Sequence, residues 1–311
     1  MSEYQKKPSA LGIDVGGSKI AAGVVTASGE ILFSCQQPTD AARGGEAVLQ
    51  DIEYLSAALK NKAEQSGLEI AGIGLGVAEL VDLQGNVTSG HTIRWIGLPV
   101  KQRLSQIAPA TVEADVRAAA LAEAVYGAGR DHEIFLYLTV GTGISCCLVQ
   151  SQRPYAGAHG NALVCASGPL TSTCAECGAS NRVTLEEYSS GPALAQRYQP
   201  FCSDKVRRAE QVFAAASEGD ERALEILRTA GSALGVIAGL LVNVFDPEAV
   251  VVGGGLGTRD GLYWECFLGS TREHIWAETR RGLPIRHAAL AGNGVIGAAL
   301  SFWRQYTSGD E

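Results

Sequence analysis

The sequence predicts an α/β fold of two lobes, with mixed sheets flanked by helices. Three observations carry this expectation. Strand-like and helix-like segments alternate along much of the chain, a pattern that favours sheets covered on both faces. A strand–glycine turn–strand unit near the start recurs in the middle of the sequence. The 311 residues, 46% hydrophobic and 19% charged, can build two packed cores and are too apolar for disorder.

The first unit is Ala10 to Val25, ALGIDVGGSKIAAGVV. An apolar run ends at Asp14, a Gly16-Gly17-Ser18-Lys19 turn follows, and a second apolar run leads to a Ser28-Gly29 turn and EILFSC at Glu30 to Cys35. This reads as three strands joined by tight turns. Val48, Leu49, Ile52, Leu55 and Leu59 recur at helical spacing and predict a helix from Glu46 to about Ala63. Ile70 to Val77 reads as a buried strand. The repeat unit spans Glu133 to Val149: the strand EIFLYLTV, the turn Gly141-Thr142-Gly143 and the strand ISCCLV. Asp220 is an N-cap candidate for a helix that ends before Asp246-Pro247. A strand over Ala249 to Val252 stops at Gly253-Gly254-Gly255, and a last helix starts around Gly294. No Pro/Ser-rich linker marks a boundary. We place it between the strand ATVEAD and the helix VRAAALAEAVYG, giving an N-terminal lobe of residues 1–116, completed by a C-terminal helix over about 295–311, and a C-terminal lobe of residues 117–294.

Charge excludes one class of partner. The formal net charge is −8 and no cluster of Lys and Arg stands out, so nucleic acid is not an expected ligand. No stretch reaches 18 apolar residues, so no membrane span is expected. The opening MSEYQKKPSA has no apolar signal region, which points to the cytoplasm. In that setting the eight cysteines read as reduced thiols.

Five motifs carry possible chemistry. In the Asp14 to Lys19 turn, glycines let the backbone approach phosphate oxygens, exposed N–H groups form an anion nest, and Asp14 could hold a hydrated Mg²⁺. The alternative is an ordinary hairpin turn. No G-x-x-x-x-G-K-[ST] is present, so this is not a P-loop. Gly141-Thr142-Gly143 repeats the arrangement; two such hairpins facing each other across a cleft describe the actin/hexokinase arrangement. Gly253-Gly254-Gly255-Leu256-Gly257 fails the Rossmann fingerprint, because position 258 is Thr, and reads either as a ledge under a nucleotide base or as a helix-entry turn. Asp115, at a strand end before a helix, is placed either to accept a proton from a substrate hydroxyl or to cap the helix. Cys174 and Cys177 form a CxxC knuckle of zinc-compatible spacing, with Cys165 and His159 as candidates for the remaining ligands. Cys146 and Cys147 read as packing residues. Among the histidines, His91 is the site candidate, since it lies in the loop before Trp95.

In order along the chain, LGIDVGGSK, GVAELVDLQGNV, VEADVRAAALAEAVYGAG, LTVGTGIS, GAHGNA, CAECG, LEEYSSGPAL, VNVFDPEAVVVGGGLG and GVIGAAL resemble successive signatures of the ROK family of sugar kinases. The resemblance covers nearly the whole chain. It implies a two-lobe actin-like ATPase (ribonuclease H-like) fold, commonly dimeric, that phosphorylates sugars with Mg·ATP. It places Asp14, Gly16, Gly17, Ser18 and Lys19 at the first phosphate motif and Gly141, Thr142 and Gly143 at the second. Gly254 and Gly255 fall near the adenosine, and Asp115 on the catalytic base.

The departures concentrate on the sugar side. Glu113-Ala114-Asp115 stands where the family has Glu-Asn-Asp. After Gly160-Asn161-Ala162 the family's sugar-binding Glu is replaced by Val164, and the His serving both sugar and zinc by Ser167. The third cysteine of the zinc motif is missing. Glu186 matches a surviving family Glu, and Glu79 stands where the family has a Gly lining the pocket. The candidate acceptor set is therefore Glu79, His91, Asp115, Asn161 and Glu186. If Glu79 faces the cleft, it pairs with a cationic group and favours an amino sugar or cyclitol; otherwise it is a solvated loop residue. The expected reaction is transfer of the ATP γ-phosphoryl group to a hydroxyl, with Asp115 as base and lobe closure excluding water. The rival expectation is a catalytically silent binding protein of the same fold. A repressor role is disfavoured by the acidic charge and by the roughly nine residues before the first strand.

Overall fold

In the computed structural model, which describes residues 8–173 and 175–308, the chain divides into two compact units. The first holds residues up to Glu133, Val149–Ala162 and the chain from Ala289 onward; the second holds Ile134–Leu148 and Leu163–Ala288.

The first unit begins with β1 (Ser9–Val15), β2 (Lys19–Thr26) and β3 (Ile31–Pro38), the three predicted strands. Helix α1 (Gly45–Gln65) buries Val48, Leu49, Ile52 and Leu59, as its spacing predicts. After it come β4 (Ile70–Val77), the short α2 (Val100–Leu104), β5 (Ala110–Ala114) and α3 (Asp115–Val125). The sheet order is β3-β2-β1-β4-β5. β1, β2 and β3 pair antiparallel, while β1, β4 and β5 run parallel, so the sheet is mixed.

A C-terminal helix over Asn293–Ser308 crosses this sheet at very close range. A Cβ on Gly12 would lie 2.0 Å from the Val295 carbonyl oxygen, and one on Gly74 would lie 1.7 Å from that of Ala298. Only glycine permits that approach. The same helix packs on α3, whose alanines are buried nearly all round. That packing is why α3 falls in the first unit, although the boundary drawn from the sequence near residue 116 lies at its start.

The second unit holds β6 (Ile134–Val140) and most of β7 (Ile144–Gln150). The last two residues of β7 pair with β8 (Arg153–Pro154) in the first unit. Next come the hairpin β9 (Pro169–Thr173) and β10 (Ser180–Thr184), then α4 (Leu185–Ser189), α5 (Gly191–Tyr198) and α6 (Ala209–Ser217). The long helix α7 (Glu221–Phe245) begins at Asp220, whose carboxylate accepts the Ala223 N–H, and ends at Asp246 in a left-handed conformation before Pro247. β11 (Ala249–Gly253), α8 (Leu262–His274) and β12 (Ile285–His287) complete the unit, and the C-terminal helix is α9. β11 runs parallel to both β6 and β12. By length and composition α7 could cross a membrane. Its buried residues instead pack on α8, which approaches closely along Gly231, Gly235 and Gly239.

Candidate functional site

In the first unit, the parallel strands β1, β4 and β5 present their C-terminal ends along one sheet edge. Such an edge is where α/β sheets place ligand-binding groups. Asp14 lies at the end of β1, Glu79 two residues beyond β4, and Asp115 immediately after β5. Burial lifts the Asp14 carboxyl to about 6, against the opposing pull of Lys19. Asp14 accepts no hydrogen bond among the described residues, and its carboxylate rests against Gly294, where a Cβ would lie 2.3 Å from Oδ2. A half-buried carboxylate without hydrogen-bond donors suits a hydrated divalent cation.

Asp115 is lifted further, to about 7, first by burial and then by the negative charges of Asp14 and Glu79; the Val116 N–H and the Arg117 charge work the other way. The helix-cap alternative does not describe it. Ala114 occupies the N-cap position, and among the described residues Asp115 Oδ1 accepts only the N–H of the next residue, Val116, at 2.6 Å.

The turn between β1 and β2 is held by its carbonyls. Thr39 donates its hydroxyl to the Gly16 oxygen at 2.6 Å and its N–H to the Ser18 oxygen at 3.2 Å. The N–H groups of Gly17 and Ser18 take no partner among the described residues, as an anion nest requires. Ser18 and Lys19 are exposed.

Two charged residues inside the alanine-rich α3 organise the surroundings, and neither was singled out from the sequence. Arg117 is buried. It donates to Glu113 through Nε at 2.6 Å, to the Gly160 oxygen at 2.7 Å and to the Val81 oxygen at 2.8 Å. It thereby fixes the Gly160-Asn161 segment, and Asn161 itself is exposed. Glu123 is fully buried with no paired cation among the described residues. It accepts the N–H groups of Ala128, Ala289 and Leu290 and the Asn293 amide, pinning the start of α9 beside α3. The available signal was a charge at an otherwise apolar helical position.

Glu79 corrects an expectation. It is neither solvated nor available to a substrate cation, because its carboxylate accepts the Ser89 hydroxyl and the N–H groups of His91, Thr92 and Ile93. The His91 residue is exposed, and its N–H is the one given to Glu79.

The second unit holds the other phosphate turn. The N–H groups of Thr142 and Gly143 take no partner among the described residues. Gly141 bonds across the turn to the Gly143 oxygen at 2.9 Å, and its own oxygen accepts the Gly191 N–H at the start of α5 at 2.8 Å. Glu186 accepts the Ile144 N–H at 2.8 Å, so it braces this turn within the second unit. Gly254 has a φ of 83°, and a Cβ there would lie 2.4 Å from the Val140 oxygen; a Cβ on Gly255 would meet nothing within 4 Å. Open space above a glycine ledge next to a phosphate-type turn fits a nucleotide.

The cysteines separate. Cys146 and Cys165 lie with their sulfurs 3.0 Å apart, and Cys146 also reaches the Leu163 oxygen at 3.1 Å. Their mutual hydrogen bond raises the Cys146 thiol and lowers that of Cys165. Cys177 is exposed, and Cys174 lies outside the described residues. Among the described residues no group of three or more His, Cys, Asp or Glu could hold a metal.

With this geometry established, comparison decides the family, since residues 10–305 match the ROK family. The chain belongs to the ROK family. Among ROK-like relatives, the glucokinase of Streptomyces coelicolor is 30% identical over 314 positions, covering 93% of this chain and 96% of that protein. The N-acetyl-D-glucosamine kinase of Haemophilus influenzae is 26% identical over 306 positions, covering 94% and 98%. The crystal structure of a ROK family glucokinase from Streptomyces griseus, in complex with glucose and AMPPNP, superposes with a TM-score of 0.79 at 28% identity, covering 94% of this chain and 98% of that one. Two mixed sheets flanked by helices are thus the expected ROK architecture, and the fold class read from the sequence holds.

Proposed function

We propose that this chain is an ATP-dependent kinase that phosphorylates a hydroxyl of a sugar or sugar-like acceptor. One observation carries the reading. Each unit contains a strand–glycine turn–strand whose tip leaves consecutive N–H groups without partners among the described residues, and the first unit adds a carboxyl, Asp115, poised near neutral pH. In this reading the second unit holds the nucleotide, with phosphates at Gly141, Thr142 and Gly143 and adenosine beside Gly254 and Gly255. The first unit supplies Gly16, Gly17, Ser18 and Lys19 to phosphate and Asp115 to the acceptor. Asp115 takes the hydroxyl proton as the oxygen attacks the γ-phosphorus, and ADP leaves. Mg²⁺, held near Asp14, offsets phosphate charge when bound.

Asn161, His91 and Glu186 remain the proposed acceptor-side residues, and the names of the relatives support a hexose or N-acetyl hexosamine. The proposal includes no structural zinc, since Cys165 is engaged with Cys146 and Cys177 stands exposed on a turn. It places the enzyme in the cytoplasm as a homodimer. Support for the dimer comes from α7, where Val236, Leu240 and Val244 form an exposed apolar stripe at four-residue spacing, and from Trp276, which is 89% exposed. Light scattering on the wild type and on Leu240→Glu tests this: a dimer that becomes a monomer supports the stripe as its interface.

The kinase itself is tested by incubating the chain with Mg·ATP and hexoses, amino sugars, N-acetyl sugars and cyclitols, and identifying products by mass. A phosphorylated acceptor supports the proposal. Bound ATP with no phosphorylated product from any acceptor favours the silent binding protein.

A further inference from the structure

Glu79 makes the most demanding set of interactions on the acceptor side. Its carboxylate is buried without a paired cation among the described residues, so hydrogen-bond donors must offset the loss of water. The Ser89 hydroxyl and the N–H groups of His91, Thr92 and Ile93 do so, the last three at 3.0, 2.6 and 2.8 Å. A carboxylate offers about four lone-pair directions, so no acceptor capacity remains for a ligand. The tethered loop reaches further. The Ser89 hydroxyl accepts the Leu80 N–H at 2.8 Å, and the Thr92 methyl lies 2.8 Å from where a Cβ on Gly17 would sit. Loop 89–93 therefore touches the first phosphate turn, while Glu79 itself lies close enough to Asp115 to oppose its ionisation.

We propose that Glu79 is a positioning and specificity-determining residue. By binding three consecutive N–H groups it fixes loop 89–93 as a rigid wall beside Asp115, and it withholds those donors from the acceptor. This rests on the kinase reading above. Without the carboxylate, the donors of residues 91–93 become available to substituents that accept hydrogen bonds, such as the carbonyl of an N-acetyl group.

The test uses Glu79→Gln, Glu79→Gly and the milder Ser89→Ala in the full chain, with two readouts. Amide hydrogen exchange over residues 89–95 is expected to quicken about tenfold or more in both Glu79 variants, and less in Ser89→Ala. In Glu79→Gly, the kcat/KM ratio of an N-acetyl hexosamine over its parent hexose is expected to rise about tenfold, while KM for ATP stays within about threefold. Unchanged exchange overturns the tether. An equal fall in kcat/KM for every acceptor overturns the specificity role, because a purely structural loss scales all acceptors alike. If the Glu79 variants do not fold, Ser89→Ala carries both readouts: faster exchange and a raised ratio support the proposal, and no change in either overturns it. A folded wild type without turnover overturns the kinase reading and the specificity role with it, and the exchange rates still decide the tether.

Discussion

Asp115, at the end of one parallel strand, is lifted to about 7 first by its burial and then by the charge of Asp14, at the end of another. A group that must accept a proton works only when ionised. Activity should therefore fall as pH drops through about 7, rather than near the ordinary carboxylate value. The pH dependence of kcat/KM for the acceptor checks this, and an acid limb below pH 5 would assign the proton acceptor elsewhere.

The same shift has a stability consequence of opposite sense. Because burial and like charge disfavour the ionised form in the folded chain, the folded state binds more protons than the unfolded one between the unfolded value of 3.8 and about 7. Stability is lost as pH rises across that window. Asp115→Asn removes the charge and keeps an oxygen for the Val116 N–H. It should melt a few degrees higher than wild type at pH 8 and show no such gain at pH 4, as thermal unfolding would record.

Arg117 should be essential to the acceptor side without touching phosphate. Arg117→Met takes the guanidinium donors from the Gly160 and Val81 oxygens and leaves Glu113 with the Ala114 N–H but no cation, a loss of about 2–4 kcal/mol in denaturant unfolding. In the folded fraction, KM for the acceptor should rise more than KM for ATP.

Gly254 should show the reverse. Its φ of 83° and the Val140 oxygen 2.4 Å from a would-be Cβ leave no place for a side chain. Gly254→Ala should raise KM for ATP about tenfold or more and leave KM for the acceptor nearly unchanged, measured by varying each substrate in turn.

Much of the fold was legible because its signals are local. Asp220 caps α7 as its residue type suggests, β4 spans Ile70–Val77 as its apolar run suggests, and both glycine turns sit between strands. What escaped the sequence depends on partners distant along the chain. Arg117 meets Gly160, Glu123 meets Ala289 and Leu290, and Glu79 meets Ser89 and residues 91–93. A carboxylate's role follows from which donors surround it, and spacing along the sequence does not reveal them. That is why Glu79 read as a free charge and proved to be a saturated one. The place of α3 likewise depends on distant partners: its alanines carry no amphipathic stripe, and its packing on α9, with contacts to β4, β5 and β8, sets it in the first unit.

ADP release with Mg·ATP and the best acceptor, compared between wild type and Asp115→Asn, tests the central claim most directly. The account predicts that the variant binds ATP nearly as well as wild type and turns over about 10²–10⁴-fold more slowly. Equal turnover in the two proteins, or a loss of ATP affinity that matches the loss of rate, would contradict it.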